Sequence, residues 1–210
     1  MLALAWGEVL FIRCGAIGWL LWAISVVTVA LIIQYFIAVR RMNIVPDLVR
    51  EQIRSLFDGK QYREAIELTA AEPSFLSYVI HAALAEAAHG YAAMERALEE
   101  ASEQRTTKLL RSIEWLNLIG NIGPMLGLMG TVYGMIRVFF KIVEAKGMPR
   151  PEALADGIGI ALVTTLVGLF VAIPALATYA VMRNRIDSLS AEAMITSQEL
   201  IATFRPAKKA

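Results

Sequence analysis

The chain has 210 residues, of which 57% are hydrophobic and only 19% charged, and its formal net charge is +1. Soluble domains run nearer about 45–50% apolar, and the excess here is gathered into three uncharged runs, which exclude an ordinary soluble enzyme, a disordered chain and a disulfide scaffold. The near-zero charge gives no case for nucleic-acid binding, and the single Cys14 cannot form an intrachain disulfide.

Residues 1–13 are a short segment before the first run. Cys14–Val39 has 26 residues without a charge, more than the roughly 20 that cross a bilayer core. It is also longer than the about 7–15 apolar residues of a signal peptide. It ends in Val39-Arg40-Arg41 and reads as a retained transmembrane helix, 14–39. Residues 40–114 form the sizeable helical domain outside the membrane. Pro46 and Asp47 suit a helix start. Asp58-Gly59 breaks it, Gln61–Ala71 resumes at helical spacing, and Glu72-Pro73-Ser74 breaks it again. From Ser74 to Arg111 the good helix formers and absence of Pro predict one long helix running on into the next span. His81 and His89 have no companion ligands and read as packing or surface residues. The charge run Glu95–Arg111 reads as a solvated face.

The second transmembrane helix, 115–140, opens with the 22 uncharged residues Trp115–Ile136. Gly120, Gly123, Gly127, Gly130 and Gly134 recur at intervals of 3, 4, 3 and 4, a helix face without side chains. Close backbone approach explains such a face. Taken alone, the glycines fit helix packing as well as a surface along which something moves. Pro124 and Asn121 add a missing backbone donor and a polar group, tolerated where protein or water satisfies them. A loop, 141–156, leads to the third transmembrane helix, 157–182. Its small face is Ala161, Thr165, Gly168, Ala172 and Ala175, and Pro174 weakens it. Residues 183–210 continue as a helix to about Phe204 and a fraying tail with Pro206, Lys208 and Lys209.

Ten Lys/Arg in 40–114 and five in 183–210 fall on one side, against Arg13, Lys141, Lys146 and Arg150 on the other. The positive-inside rule then puts the N-terminus and the 141–156 loop outside (periplasmic) and the helical domain and C-terminus in the cytoplasm.

Thr131 lies 16 residues past Trp115, and Thr165 lies 17 before Met182. Both hydroxyls therefore reach a level about 24–26 Å from the cytoplasmic ends of their spans. A membrane Thr often bonds its own helix carbonyl, but two at one depth on small-residue faces point to a shared role. Thr164 sits beside them, about 100° round the helix, and is expected to turn toward a neighbouring subunit. Residues 115–143 and 157–182 contain no Asp, Glu or His. A proton path here needs a carboxylate from another polypeptide.

The segments Gly123-Pro124-Met125-Leu126-Gly127-Leu128-Met129-Gly130-Thr131-Val132-Tyr133-Gly134 and Ala161-Leu162-Val163-Thr164-Thr165-Leu166-Val167-Gly168, followed by Ala172-Ile173-Pro174-Ala175, resemble the ExbB/TolQ/MotA proton-channel proteins. The layout is more similar to the ExbB/TolQ branch. The resemblance implies a homopentamer in a bacterial inner membrane, with two single-span ExbD/TolR-like partners whose helices carry an Asp. It also implies a possible TonB/TolA-like envelope protein as a further partner. It makes Thr131 and Thr165 pore threonines, and Thr164 and Asn121 are placed on the same lining. Gly120, Gly123, Gly127, Gly130, Gly134, Ala161, Gly168 and Ala172 are expected to be pore-facing packing positions. Many relatives carry Glu five residues before the second Thr, where this chain has Ile160.

The expected fold is an all-α membrane protein, three transmembrane helices with long cytoplasmic helical extensions, in a homopentameric ring. The expected function is a motor subunit coupling the proton motive force to work on the cell envelope or transport across it. The alternatives are a purely structural scaffold and a Na⁺-driven relative. Solute binding at the midplane lacks its groups. No nucleophile–base set, metal cluster or cofactor motif marks an enzyme, and lipid is the remaining partner.

Overall fold

A computed structural model describes residues 15–145 and 151–205. Cys14, the segment 1–13 with Arg13, loop residues Lys146 and Arg150, and the Pro206, Lys208 and Lys209 tail lie outside the described residues. All regular structure among the described residues is helical. In chain order the helices are α1 (Gly15–Ala38), α2 (Arg41–Ile44), α3 (Asp47–Asp58), α4 (Tyr62–Ala71), α5 (Phe75–Ala85), α6 (Tyr91–Glu144) and α7 (Pro151–Ile201). Helices α1, α6 and α7 each hold a stretch long and apolar enough to cross a membrane.

The chain divides into two compact units. The first comprises Met1–Gln34 and Glu114–Ala180, and the second comprises Tyr35–Ile113 and Val181–Ala210. The second unit is a helical cluster built on amphipathic spacing. Helix α3 buries Val49, Ile53 and Phe57, one per turn. Helix α4 packs on both α3 and α5, and α5 is buried along most of its length. Ser74 caps α5 by accepting the Ser77 amide at 3.1 Å, the role its hydroxyl suits at that position. The distal part of α7 adds Met182, Ile186, Leu189, Ala193, Ser197 and Leu200 to the core, again at intervals of three and four. Phe204 closes this core with its ring 5.3 Å from Phe57 and 5.0 Å from Tyr62.

Arg41 joins α2, α3 and α7 in this unit. It pairs with Asp47 and with Glu192, each at 2.7 Å. The guanidinium holds the Asp47 carboxyl below the usual carboxylate range, chiefly by hydrogen bonding. The two carboxylates push Arg41 in the opposite direction, further from deprotonation.

One sequence expectation is corrected here. The helix expected from Ser74 onward is interrupted: α5 ends at Ala85, a 3₁₀ turn covers Ala87–His89, and Gly90 adopts φ +92°. That conformation suits Gly and strains other residues, so one glycine breaks what the absence of Pro had suggested was continuous. Beyond it the expected rod forms. Helix α6 is unbroken for 54 residues, about 81 Å at 1.5 Å per residue.

Candidate functional site

In the first unit, the apolar parts of α6 and α7 form an antiparallel hairpin. The hydroxyl of Tyr179 donates to the Glu114 carboxylate at 2.9 Å near one end. Lys141 and Asp156 approach at 3.6 Å near the other. Between these pins the glycines of α6 meet the small face of α7. A Cβ added at Gly127 would lie 3.0 Å from the Thr165 Cα and 3.1 Å from the Thr164 carbonyl oxygen. At Gly123 it would lie 3.1 Å from the Gly168 carbonyl oxygen, and at Gly134 2.8 Å from that of Gly157. At Gly168 it would lie 2.6 Å from the Gly123 carbonyl oxygen. A Cβ at Gly120 would run into Leu176, and one at Gly130 into Thr164. Ala161, Ala172 and Ala175 are buried on the facing side.

Within one chain, the residues expected as pore-facing packing positions face one another. The glycine stripe and the Ala161–Gly168–Ala172 stripe close on each other within one chain. The physical reason is complementarity: two side-chain-poor faces at matched intervals allow backbones to touch, which gains dispersion contacts that lipid cannot supply. Thr164 also packs within the chain. It is buried against Gly130 of its own chain, and its hydroxyl donates to Ala161 at 2.9 Å. Ile160 is also buried.

Thr165 and Thr131 flank this seam. The Thr165 hydroxyl reaches the Gly127 carbonyl of the opposite helix at 3.2 Å. Thr131 donates to its own helix at Leu128, 2.6 Å away. Thr131 follows Gly130, where an added Cβ would meet Thr164, so the two threonines lie at neighbouring levels of the hairpin. On an ideal helix Thr131 lies only about 40° round from Gly127.

A polar ladder, not foreseen from the sequence beyond Asn121, runs below Thr131. Asn121 donates to the Asn117 backbone carbonyl at 2.8 Å and to its side-chain oxygen at 2.9 Å. Asn117 donates to Glu114 at 3.1 Å, and Tyr179 binds the same carboxylate. Residues 117, 121, 124, 128 and 131 recur at intervals of 4, 3, 4 and 3, one helix face beside the glycine seam. That spacing is present in the sequence, but the glycine pattern overlies it, and Glu114 falls just outside the uncharged run. Pro124 is half-buried on this face, and Pro174 is exposed on α7. No group of His, Cys, Asp and Glu among the described residues could hold a metal ion. His81 bonds Thr69 at 3.2 Å and His89 pairs with Glu86 at 2.8 Å.

These features define a helical membrane protein with three candidate spans. Two of them are locked by a glycine seam, with hydroxyls and amides in place of charges at depth. Residues 67–194 match the MotA/TolQ/ExbB proton channel family, and the chain belongs to that family. It is similar to the biopolymer transport protein exbB1 of Vibrio cholerae, 31% identical over 79% of this chain and 74% of that protein. It is 29% identical to the biopolymer transport protein ExbB of Salmonella typhimurium over 86% of this chain and 76% of the relative. With the Tol-Pal system protein TolQ of Haemophilus influenzae it shares 32% identity over 45% of this chain and 41% of that one. The resemblance to the ExbB/TolQ branch is borne out.

Proposed function

We propose that the chain is the channel-forming subunit of a proton-driven motor in a bacterial inner membrane, with its N-terminus periplasmic and its C-terminus cytoplasmic. Five copies surround two single-span partner helices, each carrying an Asp, as in an ExbD/TolR-like subunit. The complex would energise a TonB/TolA-like envelope protein in transport or in envelope maintenance. The observation that carries this reading is that Thr131 and Thr165 lie at neighbouring levels in spans without Asp, Glu or His.

A hydroxyl has one proton to donate and two lone pairs to accept with. Facing a protonated partner carboxyl, one of Thr131 and Thr165 accepts its single hydrogen bond while both keep their own bonds to Leu128 and Gly127. Facing an ionised one, they must turn and donate, which releases those carbonyls. The protonation state of the partner thus selects between two hydroxyl arrangements. Neutralisation also lowers the cost of moving the partner group along the apolar wall. The ladder Asn121–Asn117–Glu114 would offer a released proton polar groups on the last part of its way toward the basic, cytoplasmic side, below Leu128 and Pro124. One charge crossing about 100 mV supplies about 2.3 kcal/mol per step.

The test is proton flux into liposomes containing the co-purified complex, beside its intact mass. Partner-dependent flux and a mass of five copies with two partners support the reading. An assembled complex that passes no ion sinks it in favour of a scaffold, and flux that follows Na⁺ alone transfers the site to that ion.

A further inference from the structure

The second unit contains a cavity of about 300 Å³ lined by Ala38, Asn43, Ile44, Pro73, Phe75, Arg105, Lys108, Leu109 and Ser112. Two of these are cations, and no carboxylate lines it. Arg105 is half-buried with its guanidinium 4.2 Å above the Tyr78 ring. Its Nε is buried and has no hydrogen-bond partner, the one such side-chain atom among the described residues. Neither Arg105 nor Lys108 makes an ion pair with a described residue. A guanidinium fixed by stacking and stripped of water at one donor is costly unless an anion meets it.

The position of the cavity along the chain names the source of that anion. Ala38 is the last residue of the α1 span. Ser112 stands three residues before Trp115, where the next uncharged run begins. Asn43 ties this corner together by donating to the Ile37 and Ala38 carbonyls at 3.1 and 3.3 Å. The Tyr35 hydroxyl binds the Ser112 carbonyl. The cavity is therefore lined by two cations and by the apolar Ala38, Ile44, Pro73, Phe75 and Leu109, at the chain positions where two apolar runs meet polar sequence. Free phosphate has no use for the apolar lining. A phospholipid has both parts.

We propose that this cavity binds a phosphate group, supplied by the headgroup of an anionic phospholipid. The Arg105 fork and the Lys108 ammonium face the phosphate oxygens, and the apolar lining takes the glycerol and the root of an acyl chain. Guanidinium and ammonium groups match phosphate by geometry and by charge respectively, and basic pockets at the cytoplasmic ends of spans suit such headgroups. The site requires neither a partner subunit nor proton flow, so it stands or falls separately from the channel reading.

The experiment uses the full chain in mild detergent micelles, with native mass spectrometry reading bound lipid. Phosphatidylglycerol, phosphatidylcholine and inorganic phosphate are added in separate arms. One phosphatidylglycerol per chain should be retained, about tenfold more tightly than phosphatidylcholine, with loss of about 1.4 kcal/mol of that preference in Arg105→Gln and in Lys108→Gln. Arg105→Lys, which keeps the charge and loses the fork, should fall between, and exposed Arg96→Gln should bind like the parent. Circular dichroism checks each variant. If Arg105→Gln does not fold, Lys108→Gln and Arg105→Lys carry the comparison. Equal binding of the two lipids, or parental binding by Lys108→Gln together with Arg105→Lys, overturns the site. Binding of inorganic phosphate without retention of phosphatidylglycerol overturns the lipid source.

Discussion

The Thr165 hydroxyl and the Gly127 carbonyl join the two facing helices of the hairpin at 3.2 Å. Within α6 that carbonyl is also the helical acceptor for the amide of Thr131, four residues on. One carbonyl group thus takes a bond from each threonine, from the hydroxyl of Thr165 and from the backbone amide of Thr131.

Removing the hydroxyls separates packing from transfer. Thr165→Val loses one bond between membrane helices, worth about 0.6 kcal/mol on average. Its effect on thermal unfolding in detergent should be correspondingly small. If the hydroxyl meets a partner carboxylate, the same change removes a bond worth about 1.5–3 kcal/mol and slows flux at least about tenfold. Thr131→Val should match it in flux and cost less in stability. Normal flux from the double variant would return both residues to helix packing.

The seam itself gives a stability prediction. Gly127→Leu places a branched side chain against the Thr165 backbone, and overpacking of this kind costs about 1–3 kcal/mol. Gly127→Ala already meets backbone at 3.0 Å, whereas Gly159→Ala meets nothing within 4 Å. The melting temperature should fall at Gly127 and stay at the parental value at Gly159. Equal tolerance would show that the two faces do not touch.

Glu114 stands at the foot of the polar ladder. Glu114→Gln keeps an acceptor for Tyr179 and removes the ionisable group. Flux should fall while a pull-down of the complex is unchanged, and Glu114→Asp should restore part of it. Unaltered flux in Glu114→Gln would remove this carboxylate from the exit route.

The Arg41 pair makes a pH prediction for the second unit. The Asp47 carboxyl is lowered in the folded chain by Arg41. The unfolded state therefore binds its proton at higher pH than the folded state does. The stabilisation is present above the ordinary carboxylate pKa and is lost as pH falls through the folded value. Melting curves of parent and Asp47→Asn should converge as the solution is acidified below about pH 4, and differ most near neutrality. A constant difference across that range would mean that the pair does not stabilise the fold.

The three spans, the breaks around Gly59 and Pro73 and the rod into span two were legible in the sequence, because hydropathy and helix breakers act locally. The depth of Thr131 and Thr165 was legible too, since helical rise fixes it. The partner of the glycine face was not. Intervals of three and four state that something approaches closely, and they carry no label saying whether it belongs to the same chain. Thr164 was expected to turn toward a neighbouring subunit; with the glycines facing α7, the residue opposite Gly130 is buried within the chain. Gly90 escaped notice because its φ of +92° is a backbone property that composition does not display. Glu114 was missed because a charge at the edge of an apolar run resembles an ordinary flank until Asn117 and Tyr179 are seen to bind it.

A seam closed within one chain also sets an order of events during biosynthesis. The second and third spans can find each other as soon as the third has been synthesised, without waiting for another chain. What the finished hairpin then presents outward is Met125, Leu128, Phe170 and Ile173, all exposed and bulky. In the proposed ring, recognition between copies would fall to those large side chains. The glycines have by then done their work, and a chain with a defective seam is an insertion failure rather than an assembly failure, open to membrane proteases before it meets a partner.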